Sequence, residues 1–352
     1  MKLSLIRYRA LLNMALSVVG FEPSWSDAAV DVEVIQEQEE EEVPRLYCLP
    51  GQLERATSGV PGHSTLAREL AFFSRPSAPH APVVRYTFRD CLVHPHGVEF
   101  AGGHIRKSSA RLQRIPRGPI KEIPQAAYCM SAVSRQYFGH WLQDACATAL
   151  LARPEEALLL DVRKDWPHAR EYVNAFELRP DTAANAWVRE LSVFQDFSQG
   201  SSKRQRYATL RARAARHFGP PAPIARPLYL RRGSMGVARV VLNEEEVIQR
   251  LEREGFQVLD IDNLRGAEIY RMACAAPRVV SMDGSHLNHL YFSMRPGTSL
   301  LTFIQSDRLT ATNFGYAIAA GIHFGVQVVD RRGDGYVVDI DAMMRTLELF
   351  PA

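Results

Sequence analysis

Residues 227–305 read as strand, helix, strand, helix, strand, helix, strand, and no other feature of the chain restricts its fold so much. Strands that alternate with helices can run parallel, because each helix carries the chain back to the starting edge. The pattern predicts an open α/β sheet. In such sheets the carboxyl ends of the strands open onto one crevice, where ligands are held.

The residues at those strand ends carry the chemistry. Pro227-Leu-Tyr-Leu-Arg231-Arg232-Gly233 is a short apolar strand that ends in two arginines, and a guanidinium offers a planar fork of donors to phosphate or carboxylate oxygens. Asn243 stands where a helix cap belongs, with Glu244, Glu245 and Glu246 in the first turn and Val247, Ile248 and Leu251 as the apolar stripe. Glu244 either orients an arginine or favours the helix start. Residues 256–260 form the second strand. Asp260-Ile-Asp262 has the spacing of a metal-binding pair, but it precedes a helix and reads more readily as capping. The third strand, 278–282, runs into Asp283-Gly284-Ser285-His286 and a helical segment with Asn288 and His289. A glycine there lets a ligand approach the backbone, and the helix start favours an anion. Asp283 is either a functional residue or a helix cap.

In the first half the sharpest pair is His140 and Asp144, four apart on one predicted helix face. They can serve as a base and the group that orients it, or as a helix-start histidine bonded within its own turn. Alternating residues 85–105, with Gly97 and Gly102-Gly103 as turns, predict antiparallel strands. His94, His96 and His104 lie there without an acidic or cysteine ligand at zinc spacing, so surface hairpin histidines are the expectation and no metal is assumed. A basic helix over 203–218 carries Arg204, Arg206, Arg211, Arg213 and Arg216. It reads as a solvated face, or as a stripe for anionic lipid or an acidic acceptor. Gly219-Pro220-Pro221-Ala222-Pro223 marks a linker.

Lysine plus arginine at 42 against aspartate plus glutamate at 39 leaves a formal charge of +3, too little to imply a nucleic-acid partner. Five scattered cysteines without a Cys-x-x-Cys pair argue for a reducing, cytoplasmic compartment. Lys2, Arg7 and Arg9 precede an apolar run over residues 10–20, broken by Asn13 and Ser17. The run is short for a membrane span, and it predicts a helix that packs on the protein or touches the inner membrane surface. The glutamates before Pro44 read as a solvated linker. Expected boundaries are an N-terminal helix, strand and acidic linker over 1–45, an N-terminal α/β domain over 46–222 and a Rossmann-like domain over 223–352.

Taken together, Arg231-Arg232, Asn243-Glu244, Gly255-Phe256, Asp283-Gly284-Ser285, Phe292 and Pro296-Gly297, with Gly139-His140-Trp141-Leu142-Gln143-Asp144 upstream, resemble the glycosyltransferase family 61 domain. That family includes plant xylan-decorating transferases and many bacterial capsular polysaccharide proteins. The chain departs from its common pattern at Asp283, where many members have histidine, and at Asn288-His289. The resemblance implies two Rossmann-like α/β domains facing one another across a cleft, the GT-B-like arrangement. It implies an inverting transferase that moves a sugar from a nucleotide-sugar donor to a glycan acceptor in bacterial capsular or other surface polysaccharide biosynthesis. A non-catalytic glycan- or nucleotide-binding protein with a degenerate site is the alternative. On this reading His140 or Asp144 is the base, and Arg231 and Arg232 neutralise the departing diphosphate with Gly284 and Ser285 assisting. Arg239, Glu244, Asp283, His286 and His289 complete the donor side, with no cofactor.

Overall fold

The computed structural model describes residues 8–21, 23–106, 116–181, 184–233 and 238–351. Lys2 and Arg7 lie outside them. The chain forms two compact units, one from residues 1–39 and 81–198, the other from residues 40–80 and 199–352. The division differs from the expected boundaries because the chain crosses between the units more than once. Residues 40–80 bond to the second unit's sheet: Tyr47 N donates to Phe324 O (3.0 Å), Val326 N donates to Tyr47 O (3.0 Å), and Val328 N donates to Gln52 Oε1 (3.0 Å).

The first unit is built on a mixed sheet. Its strands are β1 (Asp31–Gln36), β4 (Val83–His94), β5 (Gly97–Phe100), β6 (Gly103–Arg106), β7 (Lys121–Tyr128), β8 (Ala157–Leu159) and β9 (Ala186–Gln195). The order is β6-β5-β4-β9-β7-β8, with β1 on β4. The expected hairpins over 85–105 are present, since β4, β5 and β6 pair antiparallel through tight turns. Only β7 runs parallel to its neighbours β8 and β9. Turns this short cannot hold a crossover helix, so this unit's sheet is not a Rossmann-like parallel one. The apolar N-terminal run forms the helix Arg9–Val18 and packs on this sheet. Its buried Asn13 amide donates to Glu99 Oε2 (2.9 Å), Phe100 O (3.0 Å) and Gly103 O (2.7 Å). No described helix is long and apolar enough to cross a membrane.

His94 is buried against Glu99, and its Nδ1 accepts from the His96 backbone N–H (3.3 Å). For His94 this corrects the expectation of surface histidines: the residue closes β4, and its ring turns inward. Among the described residues no three metal-ligating side chains cluster.

The second unit carries the predicted parallel sheet: β10 (Leu228–Arg231), β12 (Gln257–Asp260), β13 (Arg278–Met282), β14 (Ser299–Gln305) and β15 (His323–Arg332), in the order β15-β14-β13-β10-β12. β16 (Gly335–Val337) adds antiparallel to β15, and β11 (Val240–Val241) lies parallel on β16. Alternate residues of each strand enter opposite cores. Leu228, Leu230, Val279 and Leu300 pack beneath the helices Gly266–Ala275, Asn288–Ser293 and Thr312–Ala320. Tyr229, Val280, Leu301 and Phe303 pack beneath the helices Glu244–Arg253 and Ile340–Glu348. Both faces are therefore covered, as a parallel sheet requires. Numbered by sequence, the five strands stand 2-1-3-4-5, and the order reverses between β10 and β13.

The basic helix Ser201–Phe218 belongs to this unit, and much of its charge is spent internally. Lys203 and Arg206 are buried. Arg211 donates to Tyr291 O (2.7 Å) and Ala320 O (2.9 Å), carbonyls near the ends of two helices, where a cation is favoured. Arg204 pairs with Glu41. Glu41 is no linker residue, because residues 39–42 form strand β2 and pair with β3 (Ser77–His80). The Gly219–Pro223 stretch lies within the unit, with Ala222 N donating to Arg271 O (2.9 Å). Asp260 is the helix cap the sequence suggested, accepting from Asp262 N (3.2 Å).

Candidate functional site

β10 and β13 part company at their carboxyl ends, and the residues that follow them converge. Arg232, two residues past Leu230, donates from Nη1 to Asp283 O (3.1 Å). Arg239 reaches the same carbonyl (2.5 Å) and also Asp283 Oδ2 (2.8 Å). Asn313, from the helix after β14, donates to Asp283 Oδ1 (2.6 Å). The Asp283 side chain is only 2% exposed and that of Arg239 only 9%. Asp283 caps nothing: Gly284 holds the cap position of the next helical turn, and no side chain bonds there. The long reach of Arg239 back from its loop is what the strand pattern could not show.

Burial, then Arg239, and with it Arg308, push the Arg232 guanidinium down to about 10, while Asp283 opposes them. It stays protonated at neutral pH. Arg308 follows β14, the neighbour of β13, and is a site residue that the reading of the sequence missed. It stands just past a strand end as Arg232 does, a position that becomes a signal only once β14 is placed beside β13. Arg239 thus pairs with the Asp283 carboxylate, Arg232 bonds the backbone carbonyl of the same residue, and Arg308 lies near enough for its charge to act on Arg232.

His286 links this cluster to the sheet. Ser281 Oγ donates to Leu230 O (2.7 Å) and lies 2.8 Å from His286 Nε2, while His286 Nδ1 is 3.4 Å from Arg232 Nη1. The consistent assignment is a neutral ring that donates from Nε2 to Ser281 and accepts at Nδ1 from Arg232. Burial first, then the charges of Arg232, His289 and Arg239, hold the imidazole pKa well below its usual 6.5. The unfolded chain takes up a proton near pH 6.5 that the folded chain does not, so this group's share of stability is lost as pH falls below that value. The slope is at most about 1.4 kcal/mol per pH unit. His286→Gln keeps one donor and one acceptor, and it is expected to flatten the dependence of the denaturant midpoint on pH between 6.5 and 5. An unchanged slope would remove the assignment.

Gly284 is there for space. A β-carbon on it would stand 1.6 Å from Arg232 Nη1, so any side chain displaces the guanidinium. Ser285 O accepts from Asn288 Nδ2 (3.0 Å), and His289 is buried in the helix that follows, where its carbonyl accepts from Ser293 Oγ. Arg231 turns away from Arg232. Its Nε donates to Glu244 Oε2 (2.8 Å), whose other oxygen accepts from Tyr229 Oη (2.9 Å). Glu244 therefore orients an arginine, and it raises the Arg231 pKa.

In the first unit His140 Nδ1 and Asp144 Oδ2 are 2.9 Å apart, both partly exposed. The helical turns that hold them follow β7 and contain one π-type turn, in which Cys146 N donates to Trp141 O. Such turns recur at functional sites. Trp141 anchors the segment: fully buried, it donates from Nε1 to Asp161 O (2.7 Å).

Residues 138–301 match the family model described as Glycosyltransferase 61. The match takes in His140, Asp144, Arg231, Arg232, Arg239, Glu244 and residues 283–289, stops short of Arg308 and Asn313, and supports a glycosyltransferase. No curated protein matches the chain. Among solved structures, a flavo di-iron protein mutant from Thermotoga maritima is similar at a TM-score of 0.27 and 9% identity, over 76% of this chain and 63% of that one.

Proposed function

We propose that the protein moves a sugar from a nucleotide-sugar donor to a glycan acceptor with inversion at the anomeric carbon. The observation that carries the donor half is the gathering of Arg232, Arg239 and Arg308, with Arg239 paired to the Asp283 carboxylate and Arg232 bonded to the Asp283 carbonyl. It sits at the reversal of strand order, where doubly wound sheets bind nucleotides. A diphosphate gains negative charge as the bond to the sugar breaks, so fixed cations there stabilise the transition state more than the bound donor. Arginine serves the leaving group in this scheme, and no metal ion is assumed.

Inversion requires a base that takes the acceptor hydroxyl's proton while that oxygen attacks opposite the diphosphate. His140 has the chemistry. A proton on Nδ1, donated to Asp144, leaves Nε2 as the basic nitrogen, and the carboxylate stabilises the imidazolium that forms. The cellular setting, a bacterial surface polysaccharide assembled from the cytoplasmic side, rests on the family resemblance alone.

A thermal-shift screen of nucleoside diphosphate sugars tests the donor half. A true donor at one hundred times its Kd stabilises the folded state by about 2.7 kcal/mol and should raise Tm by several degrees. Incubation with it should then release nucleoside diphosphate, which a binding protein would not do. A screen in which no nucleotide sugar shifts the transition would refute the proposal.

A further inference from the structure

We infer that Asp283 is a positioning residue that aims Arg239 and, as an internal counter-ion, limits how tightly the site holds a diphosphate. This rests on the donor reading above. Every polar group of Asp283 is committed: its N–H to Phe303 O (2.8 Å), its carbonyl to Arg232 and Arg239, and its two carboxylate oxygens to Asn313 and Arg239. The residue thereby ties the ends of β13 and β14 to two guanidiniums.

A carboxylate inside an anion site opposes binding, so its presence needs a physical reason. Part of it is aim, since a buried arginine without a partner would swing to other acceptors. The rest is charge. Transfer leaves a nucleoside diphosphate with a free terminal phosphate, which carries more negative charge than the donor did. Without the Asp283 charge the same guanidiniums would favour that product still more over the next donor, and release limits many turnovers. Asp283 subtracts one charge at close range.

Asp283→Asn keeps the shape and an acceptor while removing the charge; one unit charge about 6 Å away at an effective dielectric of about 40, or about 12 Å away at about 20, corresponds to about tenfold in affinity. Calorimetry on the whole chain at low salt is expected to show inorganic pyrophosphate binding about tenfold tighter in this variant, with a steeper fall as salt is added. Asn313→Ala leaves the charge and loosens the carboxylate. It should weaken binding about threefold with the salt dependence unchanged. Unchanged or weaker binding in Asp283→Asn overturns the inference; should that variant not fold, unaltered affinity in Asn313→Ala does so. Failure of pyrophosphate to bind the unsubstituted protein would instead overturn the diphosphate reading, and this inference with it.

Discussion

Arg232→Ala is expected to weaken binding of a nucleoside diphosphate by about ten- to a hundredfold, the equivalent of the 1.5–3 kcal/mol that a hydrogen bond between charged groups contributes. Gly284→Ala should do the same by a different route. The added methyl would stand where Arg232 Nη1 now lies, and the guanidinium must leave the Asp283 carbonyl and His286 to make room. Arg231→Ala should cost less, because Arg231 is already engaged by Glu244. Calorimetric titration of the three variants decides the matter. Full affinity in both Arg232→Ala and Gly284→Ala would refute the diphosphate role, whatever Arg231→Ala does.

The second large effect belongs to turnover. Removing a general base typically costs about 10²–10⁴ in rate, and His140→Ala should fall in that range while donor affinity persists. Asp144→Asn keeps the shape but no longer stabilises an imidazolium, so turnover should drop and the acid limb of the rate against pH should shift. Single-turnover rates, measured beside donor affinity, separate chemistry from binding. If both variants turn over at the unsubstituted rate, the base lies elsewhere.

Much of the second unit was legible in the sequence because its signals are local. Two-residue alternation and 3.6-residue spacing are set by backbone geometry, and β10, β12, β13 and β14 stand where the apolar runs place them. The His140–Asp144 bond was legible for the same reason, being one turn of helix. Arg308 and Asn313 were not. Nothing in their neighbours marks them, and they join the site only because β14 lies beside β13. The Arg211 side chain shows the converse. A stripe of arginines looks the same in sequence whether it faces water or closes two helices, and packing alone separates the two.

By itself the sequence determined the α/β class of the second unit, the strand ends that bear its charge, and the short turns that made the first unit's hairpins antiparallel. Those properties follow from residues a few positions apart. The tertiary structure decided which of two adjacent arginines faces the site, that Asp283 is a counter-ion and no cap, and that residues 40–80 belong with the second unit. Each of these depends on strand order, and strand order is a choice among long-range pairings that local periodicity leaves open.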